Sequence, residues 1–233
     1  MESFDVLLRK AEAAHGHLCA GQILGVRMAL LGLSRLGIAD PHGADRKRLV
    51  TYIEIDRCAT DAISLVTGCR LGRRGLKFRD WGKMAATFVD LVPKSNHAPG
   101  LAPTPTRAIR IVALEESRDL ARRLYPHLET VRQQQMQAYR ELPDADLFHE
   151  QWVRVEVPTA ELPGYKAERF ICPRCGEGVS YGRFVEVSGE RRCLACAQPE
   201  LRYWQPAEIN PDSAERDSDG LDSGGRATDP LQS

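Results

Sequence analysis

Three side chains able to hold a metal or act as nucleophile and base fall within five residues: His15, His17 and Cys19, in AEAAHGHLCAGQILG. They stand just ahead of an apolar-rich run, residues 23–36, where polar side chains are costly unless something binds them. Two more thiols follow, Cys58 and Cys69, with Asp61 one helical turn beyond Cys58. Cys19 and Cys58 are both expected at helix starts, where the positive end of the dipole favours thiolate. One strand end and two helix starts would then bring His, Cys and Asp side chains to a single pocket. That set suits a metal site with an open position, or a cysteine nucleophile with a histidine base. A plainer reading stands beside each residue alone: a buried cysteine is a small hydrophobe, and a turn histidine is a hydrogen-bonding residue. Three such ligands within five residues weigh against the plainer reading.

A second group sits near the other end. ICPRCGEGVSYGRFVEVSGERRCLACAQ carries Cys172-x-x-Cys175 and Cys193-x-x-Cys196. Each pair fits a tight turn that points both sulfurs inward, and two such turns close a tetrahedral four-thiolate site. Structural Zn(2+) is the expected occupant, since a full shell leaves no position for chemistry; an iron–sulfur cluster uses the same ligands. The metal would supply folding energy that about 35 residues cannot draw from a core. Gly176, directly after the second cysteine, suits the left-handed turn of a zinc knuckle. The module's charges nearly cancel, so nucleic acid is not an expected partner.

The elements that must position these groups are legible from periodicity. Apolar spacing predicts helices over residues 4–14, with Ser3 as cap, and over 21–36, stopped by Gly37. Gly21, Gly25 and Gly32 fall near one face of the second helix, which suggests close backbone packing. Residues 49–55, rich in β-branched side chains, read as a strand, and 56–67 as a helix stopped by Gly68. Residues 69–82, CRLGRRGLKFRDWG, read as a hairpin or functional loop. Two more strands are expected at 86–92 and 108–113, joined by a Pro-rich connection. One polar helix is expected over 115–136, and WVRVEV, 152–157, as a further strand. This gives a domain over 1–145, a linker at 146–168, a four-Cys finger at 169–204 and a disordered acidic tail at 205–233. That tail holds seven acids against two arginines.

Composition sets the outer limits. Hydrophobic content of 42% and charged content of 27% describe a globular chain, and zero net charge gives no pull toward nucleic acid or anionic lipid. Nothing approaches the roughly 18 uninterrupted apolar residues of a membrane span. The first residues do not read as a signal peptide, and seven cysteines argue against a disulfide framework. A cytoplasmic location is the expectation.

HGHLCAGQILGVRMA and YIEIDRCATDAISLVTGCRLGRRGLKFRDWGKMAATF together resemble the FmdE family of formylmethanofuran dehydrogenase components. The resemblance lies in the HGHxCxG opening, the Cys-x-x-Asp-Ala-Ile helix, the Thr-Gly-Cys turn and the Asp-x-Gly-Lys-x-Ala stretch, in that order. It implies an α+β fold with helices packed on a small mixed sheet, a homodimer, and a His/Cys cluster around a metal or active site. By the resemblance, His15, His17, Cys19, Cys58, Asp61 and Cys69 are site residues, with Lys83 added. The basic loop RLGRRGLKFR departs from the family pattern in its charge. The C-terminal cysteines are similar to a DksA/TraR-type zinc finger.

In methanogens the FmdE component accompanies a molybdenum or tungsten enzyme whose redox centres lie in other polypeptides. An accessory role beside such an oxidoreductase is therefore the leading expectation. It would use a second Zn(2+) or another transition metal in the N-terminal pocket. Two alternatives stay open: a stand-alone zinc- or cysteine-dependent enzyme, and a regulatory module that docks a partner through its finger.

Overall fold

The structure, a computed structural model, describes residues 1–91 and 105–205. The Pro-rich connection and the acidic tail expected from the sequence lie almost wholly outside those residues. Two compact units divide the chain, Met1–Ala167 and Glu168–Ser233.

The first unit is α+β. Helices α1 (Phe4–His15) and α2 (Ala20–Leu36) precede strand β1 (Leu49–Ile53), helix α3 (Cys58–Thr67) and strand β2 (Leu76–Phe78). Strands β3 (Ala85–Leu91) and β4 (Pro105–Ala113) follow, then helices α4 (Glu116–Leu124), α5 (Val131–Glu141) and α6 (Asp144–Leu147), and strand β5 (Phe148–Trp152). The sheet runs in the order β2-β1-β3-β4-β5; β1 and β2 are parallel and the remaining pairs antiparallel. The parallel pair needs a crossover, and α3 lies in it.

Strand alternation divides the sheet residues between two cores. Leu49 and Ile53 of β1, Phe88 of β3, and Ile109 and Ile111 of β4 face the helices. Val50, Val89 and Ala108 face the other way, where Val157 and Leu162 cover them. Helix α2 is the hub of the helical layer: Ile23, Val26, Met28, Ala29 and Leu33 are fully buried. Its glycine stripe is where neighbours come closest. A Cβ at Gly25 would stand 2.5 Å from the Ala59 carbonyl oxygen, and one at Gly32 would stand 2.3 Å from the Phe88 ring. Only a residue with no side chain lets α3 and the sheet approach that closely.

Three differences from the expected elements have simple causes. The polar helix expected over 115–136 is two, α4 and α5, because Pro126 cannot continue the first; Thr130 starts the second in a capping box with Gln133. The strand expected at 152–157 lies earlier, at Phe148–Trp152, as the fifth strand of the sheet, and residues 153–162 run across the second core. Ser3 caps α1 through its backbone carbonyl, which accepts from the Leu7 amide, and not through its hydroxyl.

The basic loop has a structural task. Arg74 donates to the Leu162 and Ala160 carbonyls, Lys77 to the Glu161 carbonyl, and Arg79 grips both Glu161 carboxylate oxygens at 2.9 and 3.0 Å. The loop thus fastens residues 159–162 over the sheet. Among the described residues, no helix is long and apolar enough to cross a membrane.

The second unit is small. Strands β6 (Phe170–Ile171) and β7 (Gly178–Val179) form one hairpin. Strands β8 (Phe184–Val187) and β9 (Glu190–Cys193) form another, followed by the single turn α7 (Leu194–Ala197). Ser188 and Gly189 make the second hairpin's turn with φ +54° and +81°, the two-residue geometry that follows strand twist.

Candidate metal centres

The N-terminal cluster is assembled by two helix ends. Helix α1 stops at His15, and Gly16 turns the chain at φ +91°. The turn brings the His15 and His17 rings to 4.9 Å between centroids. Cys19 is the N-cap of α2. One ligand atom each from His15, His17 and Cys19 lies within 4.8 Å of the others, a spacing one ion can bridge. A histidine pair and a thiolate form a donor set suited to zinc and other borderline transition metals.

Helix α3 supplies the supporting residues. His15 Nδ1 lies 3.0 Å from Asp61 Oδ2, the ring N–H donating to the carboxylate. That bond fixes the tautomer and leaves Nε2 as the lone-pair nitrogen, the arrangement that orients metal-binding histidines. Cys58 opens α3 against Cys19: a Cβ on Gly21 would stand 3.2 Å from the Cys58 Cβ and 3.8 Å from the Cys19 sulfur. Burial pushes the Cys58 thiol up, and the hydrogen bond and charge of Cys19 push it further. Two adjacent thiolates repel one another, and a cation bound between them would offset that repulsion.

Gln22 is the residue that spacing did not single out. It is fully buried on α2, and its Nε2 donates to the Cys58 carbonyl at 2.7 Å, tying the two helix starts together. Its Oε1 is buried without a hydrogen-bond partner among the described residues. The signal was present in the sequence: a glutamine one turn beyond Cys19 inside an otherwise apolar stretch.

One expected site residue lies apart. Cys69 follows the far end of α3, a helix of 10 residues, so roughly 15 Å of helix separates it from Cys58. It is 5% exposed, near Thr51 and the Leu49 carbonyl, and burial raises its thiol pKa. Lys83 sits over the Trp81 ring at 5.8 Å. The amides of both residues donate to the Glu54 carbonyl, at the β1 end that leads into α3.

The second centre is complete by itself. The sulfurs of Cys172, Cys175, Cys193 and Cys196 all lie within 4.8 Å of one another. Gly176 takes φ +76°, as its place after the second cysteine foretold, and its amide donates to the Cys172 carbonyl at 2.8 Å. The Cys193 amide donates to the Cys172 sulfur, and with the amides of Cys175 and Arg174 it lowers that thiol to about 6. Arg202 donates to the Cys196 sulfur at 3.5 Å. Four thiols converging in so small a unit fit structural zinc.

Two family models match the chain, one over each cysteine-bearing region. The family model described as FmdE, molybdenum formylmethanofuran dehydrogenase operon, matches residues 14–149. The prokaryotic dksA/traR C4-type zinc finger matches residues 166–200. The crystal structure of an FmdE-like protein of the tungsten formylmethanofuran dehydrogenase type, from Syntrophus aciditrophicus, superposes with a TM-score of 0.56 at 20% identity. The match covers 86% of this chain and 95% of that one. A probable S-adenosyl-L-methionine-binding protein of Archaeoglobus fulgidus is 37% identical over 84 residues, 36% of this chain. This chain spans about a quarter of that relative's length, 23%. With more than half its residues matched and the α+β fold shared, the chain belongs to the FmdE family and carries a C4 zinc finger after the family domain.

Proposed function

We propose that the N-terminal unit holds a second transition metal, zinc or an ion of similar preference. His15, His17 and Cys19 would be its ligands, with Cys58 as a fourth donor or a neighbouring thiol. The observation that carries this reading is the convergence of three ligand atoms within 4.8 Å on two helix ends. Asp61 on His15, Cys58 on Cys19 and the unsatisfied Gln22 oxygen support it. Lys83 and Trp81 would border the site from the β1 end. Cys69 is left out of it.

Within that reading the protein is an accessory to a molybdenum or tungsten oxidoreductase, cytoplasmic and homodimeric. It would handle a thiolate-preferring ion or a sulfur-ligated cofactor, while the finger provides a rigid docking unit. Family membership supports the association, and a donor set of two imidazoles and one or two thiolates suits such a ligand. One observation favours a second reading, that of an enzyme in its own right. Three close ligands leave room for an open coordination position, and an ion held so would supply Lewis-acid chemistry.

Cobalt(II) reports directly on the ligands. In protein whose finger is kept loaded with zinc, cobalt should develop a thiolate-to-metal charge-transfer band. The band should be lost in Cys19→Ser and weakened in His17→Ala. A spectrum indifferent to Cys19 would refute the site. For the accessory role, the tagged full-length chain should retain molybdenum or tungsten enzyme from its native host; a chain recovered with neither metal would refute that role and favour the enzyme reading.

A further inference from the structure

Away from both cysteine clusters, the first unit has a pocket of 340 Å³ lined by Arg46, Lys47, Arg73, Gly68, Gly75 and Cys69, with Leu49 and Pro163 as apolar wall. Three cations and no carboxylate line it. Four other basic residues nearby have structural partners. Arg48 donates to Asp45 and Asp90, with 2.8 Å contacts to each. Arg74, Lys77 and Arg79 fasten the 159–162 segment. Among the described residues Arg46, Lys47 and Arg73 make no ion pair or side-chain hydrogen bond, although Lys47 and Arg73 each adjoin an arginine that does.

The walls are held in place. Leu49 begins β1, Gly68 caps α3, and the Gly75 carbonyl accepts from the Thr51 amide at 2.8 Å. Pro163 directly follows the segment that the basic loop clamps. Three positive side chains at the mouth of a rigid concavity repel one another unless an anion joins them. Phosphate oxygens accept from several guanidinium and ammonium donors at once.

We infer that this pocket binds a phosphorylated small molecule: Arg46, Lys47 and Arg73 hold the phosphate groups, and the organic part lies against Leu49, Pro163 and the Cys69 thiol. The volume suits a small phosphate ester or a diphosphate. A chain of zero net charge with only three cations at this site does not track a polynucleotide backbone. The basic loop thereby has two tasks: Arg74, Lys77 and Arg79 build the wall, and Arg73 addresses the ligand.

Inorganic pyrophosphate and ADP are the probes, titrated calorimetrically into the zinc-loaded full-length chain. One equivalent should bind at moderate salt, and the amide resonances of Gly68, Cys69 and Gly75 should shift. Affinity should fall at least about tenfold in R46Q/K47Q/R73Q and stay unchanged in Arg118→Gln, an exposed charge on α4. The three positions are exposed, so folding should survive; Arg73→Gln alone, expected to weaken binding severalfold, decides the matter if it does not. Absence of binding tighter than about 1 mM, equal affinity in wild type and variants, or shifts confined to other amides would overturn the inference. Tighter binding of single-stranded oligonucleotide than of ADP would overturn it as well.

Discussion

The N-terminal cluster depends on a few residues whose tasks differ. Gly16 places His17 back beside His15 at φ +91°, so Gly16→Val should strain the turn, cost more than about 1 kcal/mol and separate the two rings. A thermal melt together with the cobalt spectrum checks both effects. Asp61 touches His15 without being a proposed ligand; Asp61→Asn should weaken metal binding about 10- to 100-fold with little change in melting temperature, measured by competition with a chromophoric chelator. Gln22→Leu leaves the Cys58 carbonyl without its donor, and a loss of about 1–3 kcal/mol is expected in denaturant titration. The convergence of the His15, His17 and Cys19 ligand atoms within 4.8 Å is the best physical reason to expect a cation there. Residue types and spacing exposed His15, His17, Cys19, Cys58 and Asp61 because these side chains are scarce and were grouped. They did not single out Gln22, whose role comes from burial, and they left open which end of α3 Cys69 serves, since sequence proximity to a helix does not say which end of it matters.

At the scale of elements, close packing of α2 on α3 sets the distance between the two cysteines. Gly25 stands against the Ala59 backbone, so Gly25→Leu should force the helices apart. About 1–3 kcal/mol of destabilisation is expected, with loss of the cobalt band even though no ligand has changed. Helical and strand periodicity revealed α1, α2, β1, α3 and β3, because each buries one regular face. The division of the polar segment into α4 and α5 was also written in the sequence, at Pro126 and the Thr130–Gln133 box, but the run of charged and glutamine residues carries too little apolar pattern to make the break obvious. Thr130→Ala should cost about 1 kcal/mol of stability, read from the urea midpoint. The place of β5 depends on register with β4, and no local pattern records a pairing between distant strands.

At the scale of the whole molecule, the chain combines a family domain with its own core and a finger whose order comes from four thiolates. The two draw stability from different sources. A strong chelator should unfold the finger while the sheet of the first unit survives, seen as retained far-ultraviolet dichroism with loss of protection in residues 170–201 by hydrogen exchange. The central claim is that this molecule holds two metals, one in each unit. The direct measurement is metal content per chain by elemental analysis, on full-length protein purified without a chelating tag, for wild type, Cys19→Ser/Cys58→Ser and Cys172→Ser/Cys175→Ser. The account predicts about two equivalents in wild type and about one in each variant. One equivalent in wild type that persists in Cys19→Ser/Cys58→Ser would confine the metal to the finger and contradict the account of the N-terminal site.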